Sequence, residues 1–462
     1  MQRPASTPAE SAFARPLTVR GLAALGWLVG GVLALSACAS ERSVLVEVRG
    51  AAGAERLCLV ASDGERVLFS QSYGDDALGA PASGTLRFVA GDQVSETLLV
   101  TARAARAGAI VGAATSATGF GDASSVALPL DLARCHPRRE RAAMLVARDL
   151  MRIEAVSAGA TLAAGDLDGD GRDEALVLGV GGTLVQVDVE RARAVVSAAS
   201  DAGGRVSALG DLDGDCALDA LLVAADGVRV LRSAGGGVFV GAALEGTVGA
   251  IDAALGAASS GPRLAVCGPL GVSLVAPDGT AAALVLSSDA TSAVVAVDLT
   301  GDRRAEVVAA NASGARVWIA SDAGFIAAPD VLPASFSGAT ERLVVLDADD
   351  DGALDLAGAG PTGLFLARNR RDGTLEDGGS ASAPGAVVTE LLAVDLDGDC
   401  RDELAVLTAD GEVALYAADG GLALRSEHFS GVAHLAAGDL DGDGARELAL
   451  LGLDGELHVV SP

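Results

Sequence analysis

Lysine is absent from this chain of 462 residues, so all 33 basic side chains are arginine. Aromatic residues are also scarce, at 3% of the chain. Because carbohydrate recognition usually needs exposed aromatic platforms, this scarcity favours a protein ligand over a sugar. The chain has no nucleophile-elbow serine motif, and we expect no catalytic residue. The few histidines form no cluster and are expected to be structural: His136, His428, His434 and His458.

Positive charge is scarce beside negative charge. The 33 basic and 62 acidic side chains give a formal net charge of −29. A surface this acidic repels phosphate backbones, which excludes nucleic acid as the expected partner, whereas it suits divalent cations. With 50% hydrophobic residues the chain is expected to fold, and its length allows two or three domains.

The first forty residues have the pattern of an export signal. Three arginines precede an apolar run over 21–35, which is shorter than the roughly 20 residues of a membrane-spanning helix. The run ends in Leu35-Ser36-Ala37-Cys38, which resembles the lipobox of bacterial lipoproteins. The resemblance implies a signal peptide over 1–37 and lipidation of Cys38.

A lipidated Cys38 implies that acyl chains hold the mature chain to a membrane, with residues 38–42 as a short tether. Ala39 stands where an Asp would signal retention at the inner membrane, so in a Gram-negative cell the resemblance implies the outer membrane. The alternative is a signal anchor or an ordinary signal peptide in which Cys38 has no role. The expected location is the bacterial cell envelope.

Five further cysteines follow Cys38, and export would place them where disulfides persist. Cys58 and Cys135 flank one β-rich region and are the expected pair. An odd count leaves at least one thiol over unless two chains are joined. The spacing does not predict a zinc site. The pairing of the other three is left open: Cys216, Cys267 and Cys400.

One acidic motif of nine residues, which we call the acidic phrase, occurs six times in the rest of the chain. Its copies begin at 166, 211, 298, 347, 395 and 439, at intervals of 45, 87, 49, 48 and 44 residues. The double interval contains Ile251-Asp252 and Arg263–Cys267, which match the strands that flank the phrase elsewhere. We therefore count seven units, of which the third lacks the acidic loop.

Each unit has the pattern of four short strands. In the first unit these are Thr161–Ala164, which leads into the acidic loop, Ala175–Leu178, Thr183–Val189 and Arg193–Ala198. Four strands in about 45 residues make the blade of a β-propeller. The expected fold class is all-β, with a seven-bladed β-propeller over 153–462.

The last unit ends after its third strand, Glu456–Val460. We expect Met151–Ser157, which precedes the first unit, to supply the missing fourth strand. This pairing would close the ring between the two ends of the domain and leave no sheet edge free.

The acidic phrase has the composition of a calcium-binding loop. Positions 1, 3 and 5 carry carboxylates, position 7 offers a backbone carbonyl, and position 9 carries Asp or Glu. Calcium takes roughly six to eight oxygens, and Gly at positions 4 and 6 permits a sharp turn. An EF-hand also needs a Glu at position 12, where the first two loops have Val177 and Leu222. Solvated acidic turns are the alternative, but such crowded carboxylates repel each other without a cation.

The candidate ligands occupy positions 1, 3, 5, 7 and 9 of six loops and allow up to six Ca²⁺ ions. The loop at Asp298 is the weakest candidate, because Thr300 replaces a carboxylate and Arg303 and Arg304 add positive charge. The full set is Asp166, Asp168, Asp170, Arg172 and Glu174; Asp211, Asp213, Asp215, Ala217 and Asp219; Asp298, Thr300, Asp302, Arg304 and Glu306; Asp347, Asp349, Asp351, Ala353 and Asp355; Asp395, Asp397, Asp399, Arg401 and Glu403; and Asp439, Asp441, Asp443, Ala445 and Glu447.

These loops resemble the FG-GAP repeats of integrin α-chain propellers and the VCBS-type repeats of bacterial secreted proteins. The resemblance covers roughly 153–462 and rests on the repetition, since the Phe-Gly and Gly-Ala-Pro signatures are poorly kept. It implies that the calcium loops join the innermost strand of each blade to the second strand at one rim. It also implies that ligands bind at the opposite rim.

The opposite rim would carry the turns between second and third strands and the connections between blades. The longest connections are Pro329–Thr340 and Leu375–Val387, and long loops on a rigid scaffold are where binding usually resides. Phe336, in the first of them, is the best single contact candidate, with packing against its own blade as the alternative.

Residues 43–135 have short apolar runs between polar turns, which predicts a small immunoglobulin-like β-sandwich. Residues 136–152 are expected to form a linker, in which Ala142–Leu150 is either a short helix or a surface segment. The expected strands of the sandwich are Ser43–Val48, Arg56–Val60, Val67–Ser70, Leu86–Val89 and Glu96–Thr101.

The expected function is binding, as an adhesion or scaffold module that is stabilised by calcium and anchored by lipid. The alternative is a periplasmic propeller enzyme, either a lyase or a quinoprotein-like enzyme, with its site at the central channel. A His, Arg and carboxylate set that converges at one channel mouth would favour the enzyme. A variable loop face without such a set would favour the binding module.

Overall fold

The computed structural model of the chain describes residues 43–461, apart from short gaps. The predicted signal peptide and tether lie outside the described residues, as do Cys38, Cys135 and Cys216, and also Asp170, Asp215 and Asp443. In the described part of the chain, no helix is long and apolar enough to cross a membrane. The gaps are 50–55, 63–66, 74–82, 90–96, 107–108, 120–123, 130–145, 154–159, 169–171, 180, 192, 199–203, 214–216, 234–238, 259–260, 280–283, 301, 303, 322–323, 371, 383–386, 419–422 and 443–444.

The first seven strands form two sheets around one apolar core. β1 lies between β4, its antiparallel neighbour, and β7, which runs parallel to it, whereas β3-β2-β5-β6 is an antiparallel sheet. Val44, Val46 and Val48 point inward from alternate positions of β1 and pack with Leu59 of β2 and Val100 of β5. The strands are β1 Ser43–Arg49, β2 Arg56–Ser62, β3 Val67–Tyr73, β4 Ser83–Val89, β5 Thr97–Arg106, β6 Ala109–Gly119 and β7 Ser124–Pro129.

All five strands expected in this region are present, and two more are found. β6, Ala109–Gly119, is rich in alanine, glycine and other small residues, which carry little intrinsic strand preference. Its long antiparallel pairing with β5 determines its structure instead. Sequence patterning alone could not detect such a strand.

The remaining strands form seven four-stranded antiparallel sheets in the described part of the chain. The third sheet lacks an acidic loop but has all four strands, as the repeat count predicts. Sheet 1 contains β9 Thr161–Gly165, β10 Glu174–Leu178, β11 Thr183–Asp188 and β12 Arg193–Ala198; sheet 2, β13 Gly204–Gly210, β14 Asp219–Ala224, β15 Gly227–Ser233 and β16 Phe239–Ala243; sheet 3, β17 Asp252–Ala258, β18 Gly261–Gly268, β19 Gly271–Val275 and β20 Leu284–Ser287; sheet 4, β21 Ala293–Val297, β22 Glu306–Asn311, β23 Gly314–Ser321 and β24 Gly324–Ala327; sheet 5, β25 Arg342–Leu346, β26 Asp355–Gly360, β27 Gly363–Asn369 and β28 Leu375–Ala381; sheet 6, β29 Val388–Val394, β30 Glu403–Thr408, β31 Val413–Ala417 and β32 Ala423–Phe429; and sheet 7, β33 Val432–Gly438, β34 Glu447–Gly452, β35 Glu456–Ser461 and β8 Val146–Arg152.

Each sheet packs on the next around a closed ring. Seven apolar clusters each combine residues of two neighbouring sheets, including one cluster between sheet 7 and sheet 1. The second strands are covered on both faces, and β10, β14, β30 and β34 are buried along their whole length. The first strands contact one another around the axis, and β33 contacts β9. This is the arrangement of a β-propeller.

The ring is closed by a strand from the N-terminal side of the repeats. β8 pairs antiparallel with β35, and Ala147 lies opposite Val460. The expected source of this strand is confirmed, but the expected position, Met151–Ser157, begins five residues too late. Residues 146–150 are strand rather than the helix considered for Ala142–Leu150, because the free edge of β35 offers a full ladder of hydrogen bonds.

Phe336 is not an exposed contact residue. It lies in a short 3-10 helix, Ala334–Ser337, and only 1% of its surface is accessible. Its ring meets that of Phe365 edge-on, with centroids 4.6 Å apart. The alternative of packing against the blade is therefore correct, since the helical turn directs the ring into the cluster between sheets 4 and 5. The other expected long connection, Leu375–Val387, begins with strand β28.

We expect Phe336→Ala to lower the free energy of unfolding by about 3–5 kcal/mol, because it empties a packed site between two sheets. Chemical denaturation with calcium present measures this change. Leu270→Ala is the matched control, since Leu270 is 77% exposed. Equal stability of the two variants would contradict the packing role of Phe336.

Candidate metal centres

Acidic loops join the first strand to the second strand in all sheets but the third, and we call them rim loops 1, 2, 4, 5, 6 and 7 after their sheets. In five of them, three carboxylates offer oxygen atoms that all lie within 4.8 Å of one another. Rim loop 4 shows no such group among its described residues. The five clusters are Asp166, Asp168 and Glu174; Asp211, Asp213 and Asp219; Asp347, Asp349 and Asp351; Asp395, Asp397 and Asp399; and Asp439, Asp441 and Glu447.

The predicted sharp turn is present in the described rim loops 5 and 6. Residues at positions 4 and 6 have positive φ in both loops, which glycine adopts most easily. Position 4 is Asp350 (φ 59°) in rim loop 5 and Gly398 (φ 66°) in rim loop 6. Position 6 is Gly352 (φ 81°) and Cys400 (φ 75°) respectively. Two of the four positions therefore hold this conformation without glycine.

Backbone amides orient the carboxylates toward the inside of the turn. In rim loop 6, Asp395 accepts hydrogen bonds from the Asp399 and Cys400 amides at 3.2 and 3.0 Å. Asp351 in rim loop 5 accepts one from the Ala353 amide at 2.8 Å. The carbonyl ligands expected at position 7 follow this turn, and their contribution stays a prediction: Arg172, Ala217, Arg304, Ala353, Arg401 and Ala445.

Position 9 has a structural role that the sequence did not reveal. Its carboxylate is at most 3% exposed in every rim loop and accepts the amide hydrogen of position 2, at distances of 2.7–3.1 Å. This bond ties the end of each loop to its start. Where position 9 is Asp, the second oxygen also accepts a backbone amide of the third strand, Ser233 for Asp219 and Asn369 for Asp355.

Crowding and burial disfavour the ionised carboxylates. Burial raises the pKa of Glu306 to about 7, and the charges of Asp298 and Asp302 add to the effect. Burial likewise raises the pKa of Asp355 to about 6, with Asp349 and Asp347 contributing. A cation among these oxygens would act in the opposite direction by favouring the charged forms.

Two buried oxygen atoms that lack a described hydrogen-bond partner also favour a bound cation. Asp349 Oδ1 and Thr300 Oγ1 are inaccessible to solvent and have no hydrogen-bond partner among the described residues. Buried polar atoms are normally paired, so each such atom needs a partner that a cation can supply. The donors in the rim loops are all oxygen, which is the ligand set of Ca²⁺ rather than of a transition metal. The residues present therefore fit calcium.

Rim loop 4 differs from the other five, as its sequence predicts. The side chain of Arg304 lies 3.9 Å from Asp302, so a fixed positive charge stands beside this loop. Arg304 also donates its backbone amide to Asp302 at 2.9 Å. The lower number of carboxylates distinguishes this loop, since Thr300 stands at position 3, whereas an arginine also lies beside Asp166 in rim loop 1 and Asp213 in rim loop 2.

Two aspartates at position 8 link neighbouring rim loops, and sequence analysis missed them. Asp402 accepts the Asp347 amide at 2.8 Å, and its own amide donates to the Asp347 carbonyl at 2.9 Å. Asp173 makes the same pair of bonds with Asp439, which joins rim loop 1 to rim loop 7 across the closure of the ring. Burial raises the pKa of Asp173 to about 6. The signal available was the Arg-Asp-Glu triplet that only these two loops share.

The sheet β3-β2-β5-β6 lies against the rim loops of sheets 1 and 2. Arg103 of β5 is 2% exposed, and its guanidinium lies 2.5 Å from the Asp166 carboxylate and 3.3 Å from the Asp166 carbonyl. Cys58 Sγ of β2 lies 3.9 Å from Asp211 Oδ2. Part of this rim is thus occupied by the chain's own N-terminal region.

Cys58 and Cys400 are both disulfide-bonded, and Cys267 is a buried free thiol. Burial raises the pKa of Cys267 to about 12, so this thiol stays protonated and unreactive. The Cys58–Cys135 pairing stays a prediction, because Cys135 lies outside the described residues.

A second polar cluster lines a cavity of about 500 Å³ on the axis of the ring, bordered by the first strands. Arg205 is paired with Asp252 at 2.5 Å, and His434 Nδ1 contacts Glu390 Oε1. His434 lies within strand β33 and is paired with a carboxylate of the neighbouring sheet, as expected of a structural histidine. The sequence did not reveal that its half-buried side chain also lines the channel.

Comparison with known proteins agrees with the repeat. Residues 347–406 match the family model described as an FG-GAP-like repeat. This stretch runs from the start of rim loop 5 into the second strand of sheet 6. No curated protein matches the chain.

Several solved structures are similar in fold at low identity. Their TM-scores lie below 0.5, so the ring arrangement rests on the strand pairing of this chain itself. They include BBS1N in complex with ARL6DN, soaked with mercury (12% identity, 68% of this chain and 95% of that chain, TM-score 0.48), an Agrocybe aegerita lectin that recognises non-reducing terminal N-acetylglucosamine (17%, 60% and 80%, 0.44) and the mitotic checkpoint complex (11%, 71% and 93%, 0.45).

We expect Asp402→Ala to destabilise the folded chain by about 1–3 kcal/mol, because the Asp347 amide loses its acceptor between two rim loops. Thermal and chemical denaturation in calcium measure the loss. Asp372→Ala is the matched control, since Asp372 is exposed and accepts hydrogen bonds from Thr374, two residues away in the same turn. A control that loses as much stability as Asp402→Ala would exclude the inter-loop role.

Proposed function

We propose that the chain is a calcium-stabilised, seven-bladed β-propeller of the FG-GAP type, preceded by a small β-sandwich. The seven sheets, with an apolar cluster between every neighbouring pair, support seven blades in one ring. Two N-terminal sheets around one core support the sandwich. The observation that carries the calcium proposal is the recurrence of a carboxylate cluster at the same point of five sheets.

In the five rim loops with a carboxylate cluster, the position 1 and position 3 carboxylates would hold the ion, together with position 5 or position 9. Bound calcium would neutralise charge that otherwise opposes closure of the turn. The chain itself supplies the turn conformation, the position 2 to position 9 bond and the contacts between loops. The ion would therefore stabilise a loop that is already shaped for it.

Calcium is expected to raise the melting temperature, because it binds the folded loops and not the unfolded chain. At calcium concentrations about 100-fold above the dissociation constant, each site contributes about 2.7 kcal/mol. Asp351→Ala should remove one such increment, and Asp372→Ala should remove none. Melting curves with calcium and with chelator measure both effects. Identical curves in the two conditions would mean that the loops do not bind calcium.

We also propose that the protein is a lipoprotein of the bacterial cell envelope, anchored through Cys38. The support is the sequence Leu35-Ser36-Ala37-Cys38 at the end of an apolar run. Acyl chains on Cys38 would hold the propeller to the membrane surface while leaving it in the aqueous phase.

Cys38→Ser is expected to release the protein from the membrane fraction or to block its processing, because the mutant lacks the thiol that is acylated. Fractionation and intact mass measure the two outcomes. Ser36→Thr, which retains the cysteine, is the control. Unchanged membrane attachment together with an unchanged mature mass in Cys38→Ser would contradict the lipoprotein proposal.

The function we propose for the propeller is to bind a protein partner at the rim opposite the calcium loops. Sheet 3 supports this choice, because Val248, Ile251 and Leu270 are exposed there by 67%, 46% and 77%. Leu270 lies in the turn between β18 and β19, and the other two lie in the connection before β17. Clustered exposed apolar side chains are typical of protein interaction surfaces. The calcium rim, by contrast, is partly covered by Arg103 and its sheet.

Replacement of Val248 and Leu270 by Asp is expected to abolish capture of a partner from solubilised envelope, with little change in melting temperature. Ile326→Asp is the matched control, since Ile326 is 59% exposed but lies on the outer strand of sheet 4. The opposite pattern would contradict the assignment: capture retained by the rim variant and lost by Asp351→Ala in a protein that melts normally.

A second candidate is an enzyme with its site in the central channel. The observation that favours it is the set of Arg342, Glu390 and His434, which line one cavity from three consecutive sheets. A histidine paired with a carboxylate is a common general base. Turnover by the wild-type chain that is lost in His434→Gln would decide for this candidate.

A further inference from the structure

The polar side chains that line the axial cavity lie together at one height along the axis, which we call the polar level, and the rest of the wall is apolar. The polar level lies at the start of the first strands, at the end farthest from the rim loops. Arg342, Glu390 and His434 each stand five residues before the first Asp of their rim loop, so sheets 5, 6 and 7 present them at equivalent positions. The wall toward the rim loops is formed by leucine and alanine, among them Leu343 and Leu391.

His434 is oriented by contacts that leave one ring nitrogen available. Glu390 Oε1 contacts His434 Nδ1, and Glu390 Oε2 accepts the Leu435 amide at 2.9 Å. Both bonds cross from sheet 6 to sheet 7, so the carboxylate fixes the imidazole between the two sheets. His434 Nε2 has no partner among the described residues and belongs to a side chain that lines the cavity. It can donate to or accept from a ligand.

Arg342 carries a positive charge that no neighbouring carboxylate neutralises. Its Nε donates to the Thr389 carbonyl at 2.6 Å and its Nη1 to the Glu341 carbonyl at 2.8 Å. No described carboxylate lies within ion-pair distance of it, although the chain has a net charge of −29. Arg205, in the same cavity, is by contrast paired with Asp252 at 2.5 Å. The two carbonyls hold the Arg342 guanidinium in place and leave Nη2 for an anion.

We propose that this channel site binds a small organic monocarboxylate. The carboxylate of the ligand would pair with Arg342, a polar group on it would reach His434 Nε2, and its aliphatic part would lie against Leu343 and Leu391. A cavity of about 500 Å³ has the size of a small-molecule site. Glu390 and the negative charge of the chain disfavour a doubly charged ligand such as phosphate.

This inference deepens the second candidate function by naming its ligand class, but it requires no catalysis. Ligand binding is measured without turnover, so the binding proposal and the enzyme proposal can fail separately. A chain that binds the ligand and turns nothing over refutes the enzyme and leaves the site. The test of the protein-binding rim on sheet 3 replaces Val248 and Leu270, which do not line this cavity, whereas Ile251 of that rim does.

The experiment titrates the calcium-loaded chain with the unbranched carboxylates from acetate to hexanoate, with hexanamide and inorganic phosphate as comparison ligands. Calorimetry and the ligand-induced rise in melting temperature are the readouts. We expect affinity to rise with chain length, and we expect hexanamide and phosphate not to bind. Arg342→Gln should weaken hexanoate binding at least about tenfold, which corresponds to about 1.4 kcal/mol.

Arg205→Gln is the matched control within the same cavity, because Asp252 already neutralises that arginine, and it should change hexanoate affinity by less than about threefold. Melting curves of both variants without ligand establish that they fold. Absence of hexanoate binding to the wild-type chain would overturn the proposal. Unchanged binding to folded Arg342→Gln would overturn the site, and tighter binding of phosphate than of hexanoate would overturn the ligand class.

Discussion

Electrostatic repulsion among the carboxylates of each rim loop is the constraint on which this structure depends. Three acidic side chains place oxygen atoms within 4.8 Å of one another in five loops, and burial adds to the cost of ionising them. Backbone amides offset part of this cost by bonding to position 1 and position 9. The remaining cost is the reason for proposing a cation, since a divalent ion turns the repulsion into attraction.

The rim loops also connect the blades. Asp402 and Asp173 join neighbouring loops by paired bonds, and Asp173 does so at the point where β8 and β35 close the ring. Closure thus has three components in one place: a strand pair, an apolar cluster between sheets 7 and 1, and an inter-loop aspartate. At the opposite end, contacts such as those of Arg342 with the Thr389 carbonyl and of Glu390 with the Leu435 amide join neighbouring first strands and position the channel residues. A rigid ring of this kind can present a binding surface on one rim while its other rim provides stability.

The sequence predicts much of this arrangement, and the failures have physical causes. The spacing of the acidic phrase is local information, so the rim loops, the four-strand units and the degenerate third unit follow from it. The contacts of Asp402 and of Glu390 with His434 join residues about one repeat apart, and they become visible only when the register between blades is known. The contact of Arg103 with Asp166 depends on how the N-terminal sheet packs against the rim loops. No repeated sequence pattern predicts that packing. Phe336 was the contact candidate because it lies in a long connection where the strand pattern requires no core residue, whereas a single turn of 3-10 helix turns its ring inward.

The central claim, that the rim loops are calcium sites, is tested most directly by the calcium content of the folded chain. Protein dialysed to equilibrium against calcium, then freed of unbound ion, can be analysed for metal and protein together. The account predicts at least five calcium ions per chain, one for each carboxylate cluster. It also predicts one fewer in Asp351→Ala. A folded chain that retains less than one calcium ion would contradict it.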